Sequence, residues 1–205
     1  MEAAVADAIS TYRQAVADAL KDGSNETWST SELDAAIRLA LADLSRRLPR
    51  RLSADLTLAA AGRQVSLASL TGCLWAEEAW WPYTAGDYPA RLVPFEARDG
   101  QLYLHTDAEP QAGDTVHVLY AGGQTIVGLD EAAATTLAGE WRGLLALGAA
   151  GYAALAKAAA MAREYSWPSG AAAATRQWGE MMLALFQAKL KALRPPGTQA
   201  WVTWG

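Results

Sequence analysis

Two histidines, one cysteine, a pair of adjacent glutamates and a glycine pair in an apolar run are the residues of this 205-residue sequence with chemistry to offer. His105 and His117 fall in stretches of alternating polarity, as on strands. Metal ligation would need further ligands at workable spacing, and neither has them. The ordinary reading is a surface or partly satisfied strand histidine. Glu77 and Glu78 would point to opposite faces of a strand, so they make a poor acid–base pair. Gly148-Ala-Ala-Gly151 lacks the Lys-Ser/Thr that completes a phosphate loop, and it sits in a helical run where glycines serve close packing. No Gly-x-Ser-x-Gly element occurs, and Ser166 and Ser169 have no evident base. Cys73 is alone, which excludes an intrachain disulfide and a cysteine metal site; the expected state is a buried, inert thiol. The expectation is no catalytic residue, no metal and no cofactor.

Three groups offer binding instead. Arg46, Arg47, Arg50 and Arg51 flank Leu48-Pro49 and form the basic cluster of the chain. They suit contact with DNA or an acidic partner, or simply favourable charge at a helix C-terminus. Trp80, Trp81 and Tyr83 follow Glu77-Glu78 in an irregular aromatic stretch and suit an interface, or a platform for a sugar ring. The last stretch holds Pro195, Pro196, Trp201, Val202 and Trp204, and exposed tryptophans of this kind favour a partner. Trp28 is also expected in a loop. Net charge is -5 with a pI near 5.1, which argues against general nucleic-acid binding but fits a channel through which DNA slides.

The elements that must position these residues are legible in the hydrophobic spacing. Val5, Ile9, Tyr12, Val16 and Leu20 make one helical stripe over 2–22, with Gly23 in the left-handed position after it. Ser29 and Glu32 form a capping box for a second helix, striped by Leu33, Ile37, Leu41, Leu44 and Leu48 and ended by Pro49. From 52 to 128 the period shortens to two. Leu56-Thr-Leu58, Gln64 to Leu70, Ala90 to Ala97, Gln101 to Thr106 and Asp114 to Leu119 read as strands, with Asp99-Gly100 as a hairpin turn. A third helix over 139–165 carries Gly148, Ala149, Gly151 and Ala154, which admit a close neighbour. A fourth over 171–193 places Trp178, Met181, Met182, Leu185 and Phe186 on one side. The fold class expected is α+β: a bundle of about four helices interrupted by a small antiparallel β module, with an extended C-terminal tail. The divisions are 1–51, 52–128, 129–194 and 195–205. No apolar run is long enough to cross a bilayer, since 143–162 is mostly Ala and Gly and is broken by Lys157, and the start of the chain lacks the basic residues of a signal peptide. A soluble, cytosolically made protein without membrane contact is expected.

Three residue groups carry a resemblance. Trp28-Ser-Thr-Ser-Glu-Leu33 leads into a helix with Ala40-Leu-Ala-Asp-Leu-Ser45. Val116-His-Val-Leu-Tyr120 precedes Thr125-Ile-Val-Gly-Leu-Asp130, and residues 144–152 open a helix of small residues. In this order they resemble the adaptor proteins that connect head to tail in tailed bacteriophages. The resemblance implies a non-enzymatic ring subunit of the virion neck, twelvefold, assembled in the host cytoplasm. It implies binding to the portal protein through the C-terminal segment, to a stopper or tail-completion protein on the other side, and genomic DNA in the lumen. Another neck protein, or a carbohydrate-active or carbohydrate-binding module, are the alternatives.

Overall fold

The computed structural model describes residues 7–24, 26–86, 91–164, 167–168 and 170–193. Among them are four α-helices and two small antiparallel sheets, an α+β architecture. The chain divides into two compact units, one formed by Met1–Leu48 with Gln124–Gly205 and the other by Pro49–Gly123. The β unit thus begins and ends earlier than the 52–128 expected. Arg50 and Arg51 already pair as strand, and residues 124–128 fold with the helices.

In the helical unit, α1 (Ile9–Leu20) buries Ile9, Tyr12, Val16 and Leu20, the spacing that its stripe demands; Val5 lies outside the described residues. The left-handed position after α1 belongs to Lys21 (φ 61°), not Gly23. Turning there lets the Asp22 amide return to the Ala17 carbonyl at 2.9 Å. It also turns the Asp22 carboxylate onto the amides of Glu26, Thr27 and Trp28 at 3.0–3.1 Å. Burial pushes the Asp22 carboxyl up, but these amide hydrogen bonds together outweigh it and hold the group below its ordinary value. Helix α2 (Thr30–Arg47) starts with the expected box. The Glu32 amide donates to Ser29 Oγ at 3.3 Å, and the Ser29 amide to Glu32 Oε2 at 2.7 Å.

Helix α3 (Arg142–Met161) follows a short 3₁₀ turn and forms the centre of the helical core, where Leu145, Ala149, Ala150 and Ala153 are buried. By length and composition alone the segment Gly139–Met161 is apolar enough to span a membrane, so the expectation that no segment reaches that threshold is corrected. Of its most apolar window, 56% is buried. Helix α4 (Ala171–Ala192) crosses α3 through small residues. A Cβ on Gly148 would meet the Phe186 ring at 2.8 Å, and one on Gly151 would meet Leu183 at 2.8 Å. A Cβ on Gly179 would lie 3.1 Å from Ala154 Cβ and from the Gly151 carbonyl. This contact centres the inward face of α4 on Gly179, Phe186 and Leu190, and leaves Met181 and Leu185 exposed. The expected apolar side of α4 is therefore rotated.

In the β unit, β1 (Arg50–Thr57), β6 (Thr115–Gly122) and β3 (Cys73–Trp80) form one sheet in the order β1-β6-β3. The second sheet, β2-β5-β4, uses Gln64–Ser66, Gln101–Leu104 and Phe95–Arg98. Both line one core that includes Leu56, Val65, Ala79, Leu102, Val116 and Val118. Asp99 and Gly100 take φ of 52° and 72°, the pair of positive values that a two-residue hairpin turn needs. Two stretches are shorter than expected. β2 stops at Ser66, where the chain turns and the Leu70 amide returns to the Leu67 carbonyl. β4 starts at Phe95, after Leu92 makes an isolated bridge to Trp80. The stretch through Glu77 to Trp80, expected to be irregular, is strand with register shifts between Cys73 and Trp75 and between Ala76 and Glu78.

Candidate functional site

The outward face of the β1-β6-β3 sheet gathers polar and aromatic side chains by simple alternation. Val116 and Val118 point into the core, so His117 between them points out. Register places Asp55 opposite His117 on one side and Trp80 on the other. The Asp55 carboxylate meets His117 Nδ1 at 2.5 Å. Tyr83 stacks on the imidazole at 4.5 Å between centroids, and Trp80 leans on it at 5.3 Å. The imidazole is thereby oriented and braced, and the group offers a stacking surface beside a half-exposed carboxylate.

Trp81 does not join this group. Adjacent residues of extended chain face opposite ways, so with Trp80 outward Trp81 enters the core at 6% exposure. Its Nε1–H donates to Asp114 Oδ2 at 3.2 Å. Of the three aromatics expected at an interface, Trp80 and Tyr83 contact His117 on the outward face, and Trp81 does not. The register shift separates the two glutamates: Glu77 pairs with Arg51 at 3.4 Å, and Glu78 stands opposite Leu119. Cys73 is half-buried rather than buried, and burial raises its thiol pKa, which disfavours the reactive thiolate. Among the described residues no group of three or more His, Cys, Asp or Glu could hold a metal ion.

The four arginines divide between the two units. Arg46 and Arg47 belong to the helical unit, Arg50 and Arg51 to the β unit. Arg46 pairs with Asp43 at 3.2 Å, and Arg47 donates to the Leu190 and Lys191 carbonyls at 3.0 Å, satisfying the C-terminal end of α4. Asp43 also accepts from Tyr152 Oη at 2.5 Å and from Gln187 Nε2 at 3.1 Å, joining α2, α3 and α4. Burial first, and then this hydrogen bond, push the Tyr152 phenol up to about 12.

The sequence also hid a clasp at residues 124–136. The Gln124 amide donates to Ser45 Oγ at 2.9 Å and its side-chain amide to the Leu48 carbonyl at 2.7 Å. The Thr125 amide donates to Thr136 Oγ1 at 2.8 Å, and the Val127 amide to Thr135 Oγ1 at 2.9 Å. The Val127 carbonyl then accepts the first amide of α1, from Ile9, at 3.0 Å. Gly128, at φ +84°, lies so close to Ile9 that a Cβ would come within 3.0 Å of it. Paired threonines downstream of a Gly-Leu-Asp turn were the available signal. Trp28, in the loop before α2 as expected, packs on this helical core and donates to the Ala153 carbonyl at 3.4 Å. Pro195, Pro196, Trp201, Val202 and Trp204 lie outside the described residues. No family profile matches the chain, and no curated protein matches it.

Proposed function

We propose that this chain is a head–tail connector adaptor of a tailed bacteriophage. Its helical unit builds a ring that binds the portal protein on one side and a stopper or tail-completion protein on the other. The segment 195–205 attaches the ring to the portal. The acidic balance of the chain suits a lumen through which genomic DNA passes without adhering.

One observation supports this reading: residues of the first group behind the resemblance bond to Tyr152 of the third and to Gln124 and Ala153, the neighbours of the second and third groups. Ser45 of the first group holds Gln124, which precedes the Thr125-to-Asp130 turn of the second. Trp28 of the first group reaches Ala153, next to the end of the third. Asp43 of the first group accepts from Tyr152, which closes the third.

The test is co-expression with the portal protein of the same phage, followed by sedimentation. The expected result is co-sedimentation of the full chain as a ring, and its loss on deletion of 195–205 with the melting temperature nearly unchanged. A chain that stays a monomer or small dimer beside its portal contradicts the proposal.

A further inference from the structure

The outer face of the β2-β5-β4 sheet is polar where its inner face is apolar. Antiparallel register puts Gln64, Tyr103 and Glu96 in one cross-strand row, and Ser66, Gln101 and Arg98 in the next. Directly paired side chains share a face. Val65, Leu102 and Leu104 take the opposite, buried one. A groove of about 1030 Å³ runs beside this face to the edge strand β1, lined also by Asp55, Arg63 and Glu109 and by the small residues Ala59, Ala60 and Ala61. The Arg98 guanidinium lies 4.2 Å from the Tyr103 ring centroid, which braces the ring and presents the fork of donors beside it.

This chemistry narrows the ligand. Carboxylates, amides, a guanidinium and hydroxyls are costly to desolvate against an apolar surface. Asp55 and Glu109 outnumber Arg63 along the groove, which disfavours a polyanion. The mixed lining suits an uncharged ligand dense in hydroxyls. Planar amide and carboxylate side chains accept and donate in pairs and so match neighbouring hydroxyls, while an aromatic ring covers an apolar ring face. The volume stands at the upper end of small-ligand pockets, roughly 300–1,000 Å³, and so fits several linked units. We propose that the β unit binds a neutral oligosaccharide in this groove, with Gln64, Gln101 and Glu109 as hydrogen-bonding residues and Tyr103 as the stacking one. The site is separate from the ring-building role and needs no portal.

The experiment is calorimetric titration of the full chain with neutral tetra- to hexasaccharides of glucose, mannose and N-acetylglucosamine, with dextran sulfate as the acidic comparison. At least one neutral oligosaccharide binds, and Tyr103→Ala or Gln101→Ala weakens it by about tenfold or more. Glu109→Gln, an isosteric change on an exposed turn, weakens it without touching the fold, and Arg38→Ala in the helical unit leaves it unchanged. Absence of binding to every neutral oligosaccharide overturns the proposal. So does binding that survives all three groove variants, or a preference for dextran sulfate.

Discussion

Replacing Gly148 by alanine adds one methyl group to the middle of α3, and its sign separates helix propensity from packing. In an open helical position the change stabilises by about 0.5–1 kcal/mol, because glycine loses more backbone freedom on folding. At Gly148 the new Cβ would stand 2.8–2.9 Å from three atoms of the Phe186 ring, which is fully buried. A flat, enclosed ring cannot swing aside, so α3 and α4 must separate or Phe186 must leave its rotamer, at about 1–3 kcal/mol. The net expectation is a loss of about 1 kcal/mol. With a urea slope of about 2 kcal/mol/M, the midpoint followed by circular dichroism at 222 nm falls by about 0.5 M. Gly143→Ala is the internal control, since nothing lies within 4 Å of its added Cβ, and its midpoint stays level or rises. Trimming the ring with Phe186→Leu should cost less in the Gly148→Ala background than alone, a coupling that a double-mutant cycle reads directly. A Gly148→Ala midpoint at or above that of Gly143→Ala would refute the close crossing of α3 and α4.

Ser29→Ala removes the capping box of α2 and should cost about 1 kcal/mol in the same urea titration; Glu32→Ala added to it should cost little more, because the two residues act as one device. The folded Asp22 carboxyl titrates below its unfolded value, so its stabilisation is complete above the ordinary carboxylate range and drains away as pH falls through the folded pKa. Asp22→Asn should therefore flatten the acid side of the stability–pH curve, and an unchanged acid limb would dismiss the role given to this carboxylate. Arg47→Ala frees two carbonyls at the end of α4 and should cost about 1 kcal/mol in stability while leaving duplex-DNA retention as weak as before; stable protein with reduced DNA retention would instead support a DNA contact at the arginine cluster.

The helical part was legible because its signals are local. The stripe of α1, the box before α2 and the small residues of α3 each specify backbone or packing within a few turns, as does Asp99-Gly100 for its hairpin. The rotated face of α4 was not legible, because hydrophobic spacing counts side chains and the contact is centred on Gly179, which has none. Lys21 took the left-handed position from Gly23 because the Asp22 carboxylate gains three amides by that earlier turn. The clasp at 124–136 depends on partners as distant as Ser45 and Ile9, so no window of sequence contains it. In the candidate site, Trp80 and Tyr83 were named from composition. The burial of Trp81 and the arrival of His117 and Asp55 beside Trp80 followed from strand register, which is a tertiary property.

Electron microscopy of the chain co-purified with its portal protein tests the ring-adaptor proposal most directly. The account predicts a closed ring of this chain stacked coaxially on the portal, with a central channel wide enough for duplex DNA and contact density traceable to 195–205. A portal without added ring density, beside free monomeric chain at the same concentrations, would contradict it.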